Sequence, residues 1–243
     1  MIQRRIPTLH EKPVAKALSR RLRKKPQQPV EQFIYGYSVD TSAALKTIKK
    51  VLFPFFIRKK GVKRILEVGS GTASLSIALA HAFGKGTQVI ACDAQEGAIQ
   101  VGMKKLALLN SSRTKEEYHR KLRQKVPNQF WADSELKRIP KRTATIRNVS
   151  FLPKKIEELD GVGADLTIAN RVLNTYTRGH PEMNLPVFLH SLIENTAKGG
   201  RIVLIEQARF VSWFTESELE AAGFRIIKIR GFSGNDILAI RKK

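Results

Sequence analysis

The sequence has one cysteine among its 243 residues. Cys92 excludes an internal disulfide and a cysteine-held metal cluster, which suits a reducing compartment. No apolar run approaches the roughly 18 residues that a membrane span needs, and the short stretch Val51 to Ile57 is interrupted by Pro54. No internal repeat is evident. Acidic residues are scarce, 21 against 44 Lys and Arg, for a net charge of +23. The imbalance is concentrated. Residues 1–30 carry 9 basic and 1 acidic residues, 31–60 carry 6 and 2, and 111–150 carry 11 and 4. These windows contribute +8, +4 and +7, which is +19 of the +23. A monomer gains nothing from such one-signed self-repulsion, so the distribution implies a polyanionic partner.

What is present centres on Arg64-Ile65-Leu66-Glu67-Val68-Gly69-Ser70-Gly71-Thr72-Ala73-Ser74-Leu75. An apolar strand runs into a tight glycine turn, and Leu75, Ile77, Ala78, Leu79 and Ala82 then recur at helical spacing. Gly69 and Gly71 are expected to leave bare backbone against which a ligand lies, where a Cβ would intrude. A second buried strand, Gln88 to Cys92, ends on Asp93, an acid placed to take the two hydroxyls of a ribose. Two ligands compete for such a unit. A dinucleotide would set its pyrophosphate on the helix N-terminus, where Glu67 would repel it. A ligand with an ammonium and a sulfonium, S-adenosylmethionine, suits that carboxylate better.

These residues carry a resemblance. Glu67-x-Gly69-x-Gly71-x-Ala73, Asp93, the segment Asp165 to Asn170 and the tail from Phe214 resemble the class I S-adenosylmethionine-dependent methyltransferase superfamily, over roughly residues 40–110 and 148–243. The resemblance implies a doubly wound α/β fold, a seven-stranded mostly parallel Rossmann-like sheet whose last strand is antiparallel. It implies a cofactor site at Glu67, Gly69, Ser70, Gly71, Asp93, Ile156 and Asn170. Two departures stand out. Ala73 occupies the place of the third glycine, and the acid that takes the adenine amino group falls on Lys155. Either adenine is held by backbone and packing at Ile156, or the site is weakened.

Along the chain, residues 1–29 hold Arg20, Arg21, Arg23, Lys24 and Lys25 with few apolar residues. They read either as an RNA-binding arm or as a mitochondrial targeting segment. Residues 30–243 read as one methyltransferase-like domain with a basic insert at about 111–147. Asp40-Thr41-Ser42 offers caps for a helix with Leu45, Ile48, Val51 and Leu52 on one face, and Tyr35 and Tyr37 precede it. After Asp93 a helix carrying Ala98, Val101, Met103 and Leu106 is predicted to about Leu109. Within the insert, residues 115–123 are predicted helical. Phe130 and Trp131 interleave with Arg138, Lys141, Arg142 and Arg147, a composition suited to phosphate contact and base stacking, although the two aromatics fit anchoring of the insert better. Strand three is expected at Asn148 to Leu152, strand four at Ala164 to Asn170 and strand five at Arg201 to Glu206, with a helix through Val187, Leu189, Leu192 and Ile193 ending at Gly199-Gly200. Thr215 to Glu218 is a capping box. Residues 224–229 and 236–240 read as a closing hairpin.

Enzymes that methylate exocyclic base amines carry an Asn/Asp-Pro-Pro-aromatic turn after strand four. Asn170-Arg171-Val172-Leu173 lacks it, and Cys92, inside a strand, is no substitute for the nucleophile of 5-methylcytosine enzymes. Asn170 and His180 are the weak catalytic candidates, and the resemblance leaves the catalytic group open, because a sulfonium is already an activated leaving group and needs alignment above all. The sequence therefore favours a methyltransferase acting on RNA, ribosomal RNA first, in a mitochondrial or cytoplasmic setting. The alternative is a methyltransferase-like ribosome assembly factor that binds RNA without required turnover. A fainter similarity, to methyltransferase-like assembly proteins of the mitochondrial small ribosomal subunit, bears on that alternative, although their cysteine cluster is missing here. A small-molecule methyltransferase is third; it leaves the basic arm and insert unexplained. No membrane partner is expected, and the oligomeric state is open.

Overall fold

In a computed structural model, the described residues are 61–125, 145–170, 172, 185–207, 217, 220–221, 225–230 and 235–241. The expected arm, the helix from residue 40, most of the insert and the loop bearing His180 lie outside them. Strand β1 is Arg64–Val68, β2 Gln88–Cys92, β3 Val149–Leu152, β4 Ala164–Asn170, β5 Thr196–Gln207, β6 Arg225–Arg230 and β7 Asn235–Arg241. They form one sheet in the order β3-β2-β1-β4-β5-β7-β6. The first five strands of that order are parallel, and β7 runs antiparallel to both β5 and β6.

Helices α1 (Ser74–Phe83), α2 (Glu96–Asn110), α3 (Lys115–Lys125) and α4 (Leu185–Glu194) cover the sheet. Each central strand is buried on both faces, as its near-continuous apolar run requires, and its alternate residues serve different clusters. Ile65, Val89, Leu166, Ile168, Val203 and Ile205 pack with α1, α2 and α3. Leu66, Val68, Ile90, Cys92, Ile202 and Leu204 pack with Phe188, Leu189 and Leu192 of α4. This two-residue alternation follows from the pleat.

The helix α3 opens the insert. Thr114 accepts the Glu117 amide at 3.1 Å, and the Glu117 carboxylate takes the Arg113 amide at 2.7 Å, a Thr-x-x-Glu start with the acid bonding one residue early. Tyr118 and Leu122, four apart on one face, are buried against α1 and α2, so α3 is fixed to the body although nearly every other side chain on it is polar. The Asn110 amide closes the insert at its base, accepting from Ile146 N and donating to Ile146 O, both at 2.8 Å.

One expectation fails. The helix before β5 stops at Glu194, and Gly199-Gly200 lies within β5. Thr196 donates to Leu192 O at 2.6 Å and meets Thr167 Oγ1 at 2.7 Å, which turns the chain into the sheet early. The β4–β5 register then shifts between Ala164 and Leu166, and Gly199 takes φ +76° to absorb the bulge. On α2, Met103 is 53% exposed and Lys105 is fully buried, because the buried face runs through Ala98, Ile99, Gly102, Lys105 and Leu109. Among the described residues, no helix is long and apolar enough to cross a membrane.

Candidate functional site

The sheet order reverses direction at β1, between β2 and β4. Ligands of open α/β sheets bind in the crevice at the carboxyl ends of strands on either side of such a point. There the chain places the glycine loop after β1, Asp93 after β2 and Asn170 at the end of β4.

The loop is set by backbone conformation. Gly69, Gly71 and Ala73 have φ of +65°, +52° and +55°. Ser70 N donates to Cys92 O at 3.0 Å and Ala73 N to Ser70 O at 2.8 Å, so the turn is fastened to the end of β2. Gly69 owes its identity to more than a ligand: a Cβ there would lie 2.4 Å from Val172 Cγ2. The expected bare backbone at Gly69 is therefore covered by the chain's own valine.

Asp93 ties the loop to β2. Its two oxygens accept the amides of Gly71, at 2.7 Å, and Gln95, at 2.8 Å. One amide on each oxygen leaves further acceptor capacity, the requirement for a pair of vicinal hydroxyls. Burial raises the Asp93 pKa, and the Gln95 and Gly71 amides oppose that rise.

Glu67 differs from its expected role. It is buried beneath the loop and takes a hydrogen bond from the Ser76 hydroxyl of α1. Burial, opposed first by Ser76, lifts its pKa to about 8. Burial thus favours the neutral acid, while the buried Lys105 ammonium nearby pulls toward the ionised form. Cys92 is likewise pushed up, to about 12, by burial, and donates to Lys154 O at 3.0 Å. A thiol so placed is inert as a nucleophile.

Two buried polar atoms, Ser70 Oγ and Asn170 Oδ1, have no hydrogen-bond partner among the described residues. Both belong to this end of the sheet, and buried polar groups without partners are uncommon enough to require a reason. Ile156, expected against adenine, is 2% exposed and packs in the cluster under α4. Lys155 is exposed and precedes the short 3-10 turn Ile156–Glu158, its amide donating to Glu158 Oε2 at 3.2 Å. His180, Arg138, Lys141 and Arg142 lie outside the described residues, as do Arg20, Arg21, Arg23, Lys24 and Lys25.

Sequence reasoning missed Lys105. Its ammonium donates to Thr72 O at 3.2 Å, to Thr72 Oγ1 at 3.4 Å and to the Ser74 hydroxyl. The signal was available: on a helical wheel position 105 falls with 98, 102 and 109. Among the described residues, no group of three or more His, Cys, Asp or Glu could hold a metal ion.

No protein-family model matches the chain, and no curated protein matches it in sequence. Solved structures do share its fold. An S-adenosylmethionine-dependent methyltransferase from Aquifex aeolicus superposes with a TM-score of 0.52 at 16% identity, covering 85% of this chain and 98% of its own. The ribosomal protein L11 methylase from Lactobacillus delbrueckii subsp. bulgaricus gives 0.50 at 17% identity, over 86% and 81% of the two chains. The S-adenosylmethionine-dependent methyltransferase SibL, in its apo form, gives 0.50 at 16%, over 95% and 74%. The chain thus has the fold of the class I S-adenosylmethionine-dependent methyltransferases.

Proposed function

We propose that this chain is an S-adenosylmethionine-dependent methyltransferase whose acceptor is RNA, ribosomal RNA in the first instance. The observation that carries the cofactor is the pair of buried atoms without a hydrogen-bond partner among the described residues, Ser70 Oγ and Asn170 Oδ1, flanking a glycine loop already bonded to Asp93. Asp93 would take the ribose hydroxyls, and Ser70 and Asn170 the polar groups of the methionine end. The cofactor supplies a methyl group on a sulfonium, so its departure needs no acid. The chain's task is alignment: the amide-fixed loop and the end of β4 hold one reactant still while the acceptor is brought in line. With Cys92 buried and protonated, attack through a cysteine adduct finds no support.

RNA as acceptor rests on charge. The +19 carried by residues 1–60 and 111–150 is added to a sheet that does not need it. On α3 and just before it, Arg113, Arg120, Arg123 and Lys125 are exposed, and they join Arg138, Lys141 and Arg142 of the insert and the arm from Arg20 to Lys25 as the proposed phosphate contacts. A second reading is an assembly factor on the small ribosomal subunit without required turnover. It is favoured by Ala73 held at positive φ and by the exposed lysine where an adenine-binding acid is expected.

Gly71→Arg separates the two, because it puts a large side chain at φ +52° on the residue whose amide Asp93 holds. RNA modifications are mapped in cells carrying it. Loss of one specific methylated nucleotide is the expected result. An unchanged methylation map with failed ribosome assembly would overturn the enzyme and leave the assembly factor.

A further inference from the structure

The loop breaks a rule at one residue. Ala73 occupies the left-handed region, φ 55° and ψ 25°, where an L side chain is strained and glycine is not. It is fully buried and is the residue from which α1 starts. Its neighbours on both sides are Thr72 and Ser74, and these are the residues that Lys105 binds. The ammonium is fully buried, a position that costs free energy unless its donors are met. One turn earlier on α2, Gly102 faces the same loop. A Cβ there would lie 3.0 Å from Ala73 Cβ and 3.1 Å from Thr72 O, so the methyl that the loop carries is accommodated by one that the helix omits.

We propose that Lys105 is a positioning residue of the cofactor loop: by fastening Thr72 and Ser74 to α2 it holds Ala73 in the conformation that a third glycine would take unaided. The inference rests on the loop being the cofactor site for its consequence, but not for its test. If Ala73 leaves the left-handed region, the Thr72 carbonyl and Ser74 hydroxyl rotate away from the ammonium together, so the clamp penalises that escape. It also fixes the Gly71 amide on Asp93, one residue upstream of Thr72.

The test uses the full chain without ligand. Hydrogen exchange of the backbone amides in residues 69–77 is compared among the wild type, Lys105→Gln and the pair Lys105→Gln/Ala73→Gly. Glutamine keeps much of the volume and a donor but supplies neither the reach nor the three donors of the ammonium. Loop exchange should quicken about tenfold or more in the single variant and return to within about threefold of wild type when glycine is added. Cofactor affinity measured by titration should fall and recover in the same order. If Lys105→Gln does not fold, the pair still should. Unchanged exchange in the single variant, or exchange or folding that glycine fails to restore, overturns the proposal. Normal rescue of exchange with no cofactor binding by the wild type would instead sink the cofactor reading and leave the clamp standing.

Discussion

Replacing Glu67 by glutamine should make the folded chain less sensitive to rising pH. Glu67 has an ordinary pKa of 4.5 and a folded value of about 8, from burial. The folded state thus binds the proton more tightly than the unfolded chain. Between these two values the unfolded state carries fewer protons, so the stability slope with pH is negative. The protonated carboxyl is fully tolerated below pH 4.5, and stability drains away as pH rises toward 8. Each unit of that interval is worth about 1.4 kcal/mol, so from pH 5 to 7 Glu67 alone removes on the order of 2–3 kcal/mol, and over the whole interval on the order of 5 kcal/mol as an upper figure. Glutamine keeps an acceptor for the Ser76 hydroxyl and has no proton to lose. The difference in stability between Glu67→Gln and wild type should therefore swing toward the variant by about 2–3 kcal/mol between pH 5 and 7, about 4–12 °C in Tm for a chain of this size. Urea or thermal unfolding at a series of pH values reads it directly, and the subtraction removes the titrating groups that do not interact with Glu67, leaving its coupling to Asp93 and Lys105 inside the measured difference. Parallel pH profiles for the two proteins would refute the reasoning, since Glu67 would then titrate as an ordinary acid.

Two further outcomes follow from the site and the charge. Asp93→Ala leaves the Gly71 and Gln95 amides without an acceptor and should weaken S-adenosylmethionine binding by about 1–3 kcal/mol in isothermal titration; wild-type-like affinity in the variant would remove Asp93 from the site. If about six phosphates are contacted, the logarithm of RNA affinity should fall against the logarithm of salt with a slope near −4 to −5. Deleting residues 1–29 should flatten that slope while the fold and cofactor binding persist, and salt-independent affinity would count against RNA as the partner.

The strands were legible because a parallel sheet covered on both faces demands local apolar runs. The expected ends of β1, β2 and β4 agree with the observed Val68, Cys92 and Asn170, and these ends fix where the crevice lies. What failed depended on contacts distant in sequence. Gly199-Gly200 has the composition of a helix stop, yet Thr196 bonds to Thr167 and draws the chain into β5 first. Met103 sits within a helical pattern, but the face that meets the loop is chosen by Gly102, whose missing Cβ lets the backbone at Thr72 approach. Neither choice can be made from a window of neighbouring residues.

The places of the candidate residues in the fold were legible and their chemistry less so, and Glu67 shows why. From the order of residues alone it is a carboxylate before a glycine loop, and its charge decides against a pyrophosphate. In the folded chain that charge is conditional. The group is buried, donates or accepts through Ser76 according to its protonation, and sits about 8 on the pH scale. An anionic phosphate arriving nearby would favour its neutral form and be repelled little. A cationic ligand would draw the proton off and be held by the charge so formed. Discrimination then comes from differential binding to two protonation states of one acid, and its strength depends on pH. Asp93 differs in that two backbone amides oppose the rise that its burial causes, although burial prevails. The loop thus places beside each other an acid supported by amides, suited to hydroxyl groups, and a buried acid whose charge is set between its burial and the cations near it, Lys105 among them. A ligand that carries vicinal hydroxyls and positive charge satisfies both.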